Sequence, residues 1–175
     1  MSNVDGNNLN MKFGPIPGTY TKVDNPDLGK FNCGSPSCGF NVDVCPPELT
    51  LVKPDGKYCM SICAAVYNPQ QVEKYPDILG PIAADPMKRD LVCCACGEGT
   101  GGCTDPASHY CCSPLDPREG IGGRCYVENW PKPSAYFSRY DKVFKDQCGE
   151  AYSWQFDDIS STYQCIDADY QIQFC

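Results

Sequence analysis

Fifteen of the 175 residues are cysteine, and no other feature restricts the fold as strongly. Cysteine at this density marks a disulfide framework built in an oxidising compartment, since the reducing cytosol does not keep such bonds. The count is odd, so at least one thiol has no partner within the chain. Sixteen glycines and sixteen prolines leave little room for long helices or a coiled coil. No stretch approaches the roughly 18 apolar residues of a membrane span. Fourteen basic against 22 acidic residues give a net charge of −8, which disfavours nucleic acid and anionic membranes as partners. The length suits one domain, with or without a subdomain.

Local patterns predict short elements. Leu9, Met11 and Phe13 alternate with Asn10 and Lys12 as in a strand buried on one face. Residues 14 to 48 read as stapled loop. Leu49 and Leu51 before Pro54-Asp55-Gly56 predict a strand and a tight turn. Cys59 and Cys63, four apart among apolar residues, predict a short helix with both sulfurs on one face. Asn68-Pro69 and Asp85-Pro86 are helix starts, with Gln71 placed for a capping box. Tyr136, Phe137, Tyr140, Val143 and Phe144 recur at helical spacing. Ser161 to Cys165 and Tyr170 to Cys175 read as a hairpin, with Tyr170, Ile172 and Phe174 on one face. The opening Met1 to Asn10 is polar and matches neither a signal nor a transit peptide. The expectation is therefore either a processed secreted chain or a fragment of one.

Several motifs agree with one known family. Tyr136-Phe137-Ser138-Arg139-Tyr140 is followed by Phe144 to Trp154, then Asp157-Asp158, Ser161-Thr162-Tyr163-Gln164-Cys165, and Tyr170 to Cys175. Val4-Asp5-Gly6 with Asn8 to Phe13, Cys45-Pro46-Pro47-Glu48-Leu49 and Ser108-His109-Tyr110-Cys111-Cys112 fall in matching order. Together they resemble the C-terminal portion of the thaumatin-like, pathogenesis-related proteins (thaumatin, osmotin and zeamatin type). The resemblance covers residues 1 to 67 and 108 to 175 and implies a mainly β fold: part of a thaumatin-like β-sandwich plus a disulfide-rich subdomain with short helices. Residues 68 to 107 read as an insertion within that subdomain. Half a sandwich would leave strand edges and core faces uncovered.

The resemblance also implies disulfides pairing Cys33 with Cys165, Cys38 with Cys148, Cys45 with Cys59, Cys63 with Cys111, and Cys112 with Cys125. Cys93, Cys94, Cys96 and Cys103 would form two more in one of three pairings; a bond between adjacent Cys93 and Cys94 is the most strained. Cys175 is left unpaired.

Function follows from the same likeness. Family members bind β-1,3-glucan or other ligands through an acidic cleft, and two of its residues map here, Asp5 and Asp157. As residues alone they read as a turn acid and a solvated loop acid. Trp130, Trp154, Tyr136, Tyr152 and Phe156 could stack on sugars, but aromatic residues serve more often as core. Asn7 stands where the family has an aromatic residue. Cys93-x-x-Cys96 and the lone His109 do not supply the four ligands of a zinc site, so neither metal nor cofactor is expected. No catalytic residue is assigned. The expected protein is an extracellular defence protein directed at cell-wall polysaccharide, a monomer if the N-terminal half is present, with antifungal action among its expected properties. The alternatives are an inhibitor or protein-binding module acting on a hydrolase or membrane protein, and a weak endo-β-1,3-glucanase.

Overall fold

The computed structural model describes residues 1–7, 9–93, 130–155 and 157–174. Among them the strands are β1 (Gly6–Asn7), β2 (Met11–Pro15), β3 (Ser37–Cys38), β4 (Thr50–Lys53), β5 (Gly56–Met60) and β6 (Tyr170–Phe174). They make two antiparallel sheets, ordered β1-β5-β4 and β3-β2-β6. The helices are α1 (Ile62–Val66), α2 (Pro69–Lys74), α3 (Pro76–Ala83), α4 (Pro86–Cys93), α5 (Tyr140–Lys145) and α6 (Asp158–Ser161). No helix among the described residues is long and apolar enough to cross a membrane.

Local chemistry accounts for much of this. The Pro54-Asp55-Gly56 turn joins β4 to β5, with Lys53 opposite Gly56. Gly56 has φ +148°, a region that side-chain-bearing residues rarely adopt. Tyr58 donates its hydroxyl to Asp55 Oδ2 at 2.6 Å and ties the turn down. Asn68 caps α2 by accepting from the backbone N–H groups of Gln70 and Gln71, with Pro69 in the first helical position where no donor is needed. Asp85 accepts from the Lys88 N–H at the start of α4.

Several expectations are corrected. Cys59 lies in β5, not in a helix with Cys63. Gln71 does not complete a capping box; its Nε2 donates to the carbonyls of Glu48 and Thr50, each at 3.1 Å. The helix predicted from Tyr136 starts only at Tyr140, because Arg139 is extended (φ −70°, ψ 163°). The predicted C-terminal hairpin does not form. Gln164 bridges to Asn32, and β6 pairs with β2, Met11 opposite Phe174 and Phe13 opposite Ile172. Strand alternation puts Tyr170, Ile172 and Phe174 on one face, as expected, with the Phe13 ring stacked on Tyr170 at 5.1 Å. That face is uncovered: the three side chains are 48%, 57% and 64% exposed.

The Cys33–Cys165, Cys38–Cys148 and Cys45–Cys59 disulfides are present. The fourth differs. Cys63 bonds to Cys93, not to Cys111, because α4 packs on α1 and brings the two Cα atoms to 4.8 Å. Cys93 is therefore not available to Cys94, Cys96 or Cys103. These three, with Cys111, Cys112, Cys125, Cys175, His109 and Phe156, lie outside the described residues. Digestion without reduction should yield a peptide joining Cys63 to Cys93 by mass spectrometry; a Cys63–Cys111 peptide would overturn the α1–α4 docking.

The core gathers Leu49, Ile62, Ala65, Leu79, Val92, Val143 and Phe144, with Phe40 stacked on Phe144 at 5.4 Å. Glu48 lies within it at 0% exposure. Its carboxylate is fully engaged: Oε1 accepts from the Ser134 N–H and the Tyr140 hydroxyl, and Oε2 from the Ser134 hydroxyl, each at 2.9 Å. Burial first, then the Glu48 charge, pushes the Tyr140 phenol far above the usual tyrosine range. The folded state then holds a proton that the unfolded chain releases above pH 10.0. Stability from this group is thus complete below that pH and is lost as pH rises from there toward the folded-state value. Denaturant titrations from pH 9 to 11 should show that fall, and Tyr140→Phe, though less stable at pH 8, should show a shallower one.

Candidate functional site

The β4–β5 hairpin builds a groove of about 350 Å³. Leu51 lies opposite Tyr58, and alternation puts Lys53 and Met60 on that same face. β1 closes one side, bringing Asp5, Gly6 and Asn7 to the rim. Gly6 is required there. Its φ is +121°, and a Cβ would sit 2.4 Å from the Cys59 carbonyl oxygen. The Asp5 carbonyl accepts from the Ser61 N–H at 3.2 Å, while its side chain is exposed. Asn7 is held by a 3.0 Å hydrogen bond from Nδ2 to Asn3 Oδ1.

Tyr58 is oriented from two directions. Its hydroxyl is bound by Asp55, and the Lys53 ammonium lies 5.5 Å from its ring centroid. The hydrogen bond from Tyr58 holds the Asp55 carboxyl below the ordinary carboxylate range and raises the phenol in turn. The groove therefore offers a carboxylate, an ammonium, an amide and an aromatic face. It is mixed in charge.

Asp157 is not among the residues lining this groove. Its Oδ2 takes the Lys145 ammonium at 2.7 Å, the Ser153 N–H at 3.0 Å and the Ser153 hydroxyl at 3.2 Å, and its Oδ1 accepts from Ser160. Lys145 also donates to the Ala151 carbonyl and to Ser161 Oγ, each at 3.0 Å. Both ends of the ion pair are largely buried, 15% and 11% exposed at the side chain. The pair clamps the end of α5 to the loop before α6. It is not the solvated loop acid of the sequence reading, and its acceptor sites are occupied from within the protein.

Of the described aromatic candidates, one is buried and three are half-buried. Trp130 is buried and packs edge-on against Trp154, centroids 6.2 Å apart. Tyr136 donates to the Val44 carbonyl, and Tyr152 donates to Asp158 Oδ1 at 2.8 Å. Sequence reasoning missed Lys53 and Tyr58, although the turn motif between them located the hairpin that carries them. Lys145 gave no signal as the partner of Asp157.

Two small sheets, short helices and long-range disulfides around a compact core define a disulfide-stapled protein of β-strand and loop architecture. In sequence the chain is similar to thaumatin-like proteins. It is 30% identical to thaumatin-like protein 1 of Pyrus pyrifolia over its whole length, covering 48% of that relative. It is 29% identical to thaumatin-like protein 1 of Arabidopsis thaliana over 86% of the chain and 63% of the relative. A shorter match, 53% identical over 38 residues, is to pathogenesis-related thaumatin-like protein 3.5 of Cryptomeria japonica, covering 22% of this chain and 16% of the relative. The chain thus spans about half the length of the first of these relatives. No protein-family model matches it.

The two acids should separate in a stability measurement. Asp157→Asn breaks a largely buried charge pair and should lower the unfolding free energy by about 2 to 4 kcal/mol. Asp5→Asn, exposed at the side chain, should stay within about 0.5 kcal/mol of the parent. Equal stabilities in chemical denaturation would remove the clamp role of Asp157.

Proposed function

We propose that the chain is part of a secreted, defence-type thaumatin-like protein that binds cell-wall polysaccharide, with β-1,3-glucan the leading ligand and the β1-β5-β4 groove its contact surface. The observation that carries this is the oriented Tyr58 ring beside Asp5, Asn7 and Lys53 in one groove. An aromatic face packs on the apolar side of a pyranose, while a carboxylate accepts from sugar hydroxyls and an ammonium or amide donates to them. The pathogenesis-related name borne by one relative supports the defence role, and the disulfides suit an extracellular setting. Antifungal action would follow from wall binding. Residues 68 to 107, read as an insertion, would carry a further specificity of their own.

Binding is favoured over hydrolysis. Glycoside hydrolysis by the usual route needs two carboxyl groups across the scissile bond, and among the described residues only Asp5 contributes one to this groove. The chain should co-sediment with insoluble β-1,3-glucan. Asp5→Asn and Tyr58→Ala should each weaken that by about tenfold, the effect of losing about 1.4 kcal/mol, while folded Asp157→Asn should bind like the parent. Binding unaffected by both groove substitutions would overturn the site. New reducing ends above background would overturn the non-catalytic reading, and a glucan-indifferent complex with a hydrolase would favour a protein target instead.

A further inference from the structure

Three residues that border one small cavity beside α5 each carry a buried polar atom without a hydrogen bond among the described residues. Trp130 and Asp141 are 5% and 4% exposed, and both border this cavity together with Gln155. Among the described residues, Trp130 Nε1, Asp141 Oδ1 and Gln155 Oε1 have no hydrogen-bond partner. Each has its other valences accounted for. Arg139 donates through Nη2 to Asp141 Oδ2 at 3.2 Å. Arg139 Nε lies 3.1 Å from Oδ1 as an ion-pair contact, without a hydrogen bond to that oxygen. Gln155 donates from Nε2 to the Cys93 carbonyl at 2.7 Å. That bond fixes the amide orientation and leaves Oε1 as the acceptor.

A buried indole N–H, carboxylate oxygen or amide oxygen without a hydrogen bond keeps its desolvation penalty. Three such atoms on one cavity point to an occupant that satisfies them together. The cavity offers a water-sized sphere about 10 Å³ for its centre, near the minimum that holds one water. The lining also includes Ser61, Tyr140 and Ser153 beside apolar Val4, Ile62 and Phe144, and the small volume excludes a ligand much larger than water. We infer that this cavity is a binding site for a single internal water, which accepts from Trp130 Nε1 and donates to Asp141 Oδ1 and Gln155 Oε1. One acceptor lone pair and both protons are then used, giving the three bonds typical of a buried water. Burial pushes the Asp141 carboxyl up while the Arg139 and Lys142 charges oppose it; a donated hydrogen bond from water adds to the forces that keep it charged. The water would bridge α5 to the Gln155 loop, and through Gln155 Nε2 to the end of α4, where the Cys63–Cys93 bond lies.

The test uses the intact chain. It has two tryptophans, so Trp154→Phe assigns the Trp130 indole resonance in a ¹⁵N-labelled sample. In rotating-frame experiments, the parent's Trp130 Hε1 should show a cross peak to water of dipolar sign, characteristic of a long-lived bound molecule. A high-resolution crystal structure should place a water within hydrogen-bonding distance of all three atoms. Absence of the cross peak, an empty cavity, or direct hydrogen bonds among the three side chains would overturn the inference.

Discussion

Two long-range disulfides are the constraint on which the rest of the structure depends. Cys33–Cys165 and Cys38–Cys148 span 132 and 110 residues, and each closes a loop worth on the order of 5 kcal/mol of unfolded-state entropy when taken alone. The secondary structure they hold is slight. β3 is two residues long, and every residue of β6 is exposed. Sheets of this size are marginal without further packing. Cys33 adopts φ +57°, a conformation uncommon for a residue with a side chain. Its disulfide and the 2.8 Å hydrogen bond from its N–H to the Gln164 carbonyl hold it there. The covalent bonds set where the chain ends meet, and the short strand ladders follow.

The helical part is organised differently. Its centre is Glu48, a buried charge that receives three donors from Ser134 and Tyr140 while its own carbonyl receives Gln71. A carboxylate buried without such partners would be strongly destabilising. Fully engaged, it ties the turn before β4 to α2, to α5 and to the segment around Ser134. Lys145 and Asp157 repeat the device at the other end of α5. Helices of four to eight residues are too short to persist alone in water, so these polar joints and the Cys63–Cys93 bond complement the apolar core in fixing their arrangement.

What could be read from the sequence was what depends on neighbouring residues. Asn68-Pro69 announced α2, Pro54-Asp55-Gly56 announced the hairpin, and alternation along Tyr170 to Phe174 announced a two-faced strand. What could not be read was any partner chosen by tertiary packing. The same strand's pairing with β2, rather than with residues 161 to 165, depends on where Cys33–Cys165 draws the chain. Cys63 takes Cys93 because α4 docks on α1, and nothing in cysteine spacing encodes that docking. Family likeness supplied three correct disulfides and failed at the one that draws its partner from residues 68 to 107.

The same division governs the site. Likeness named Asp5 and Asp157 as two members of one acidic cleft, yet the surrounding chemistry assigns them unlike tasks. An acid that already accepts from Lys145, Ser153 and Ser160 has little capacity left for a ligand and gives up much internal bonding to provide it. An exposed acid beside a glycine that only glycine can occupy gives up nothing. Asp5 and Asp157 therefore do not line one groove. The groove at Asp5 also carries Lys53, and a mixed donor and acceptor surface around an aromatic ring suits a neutral polyol better than a cation. It is on that ground, more than on net charge, that the proposal of a polysaccharide ligand rests.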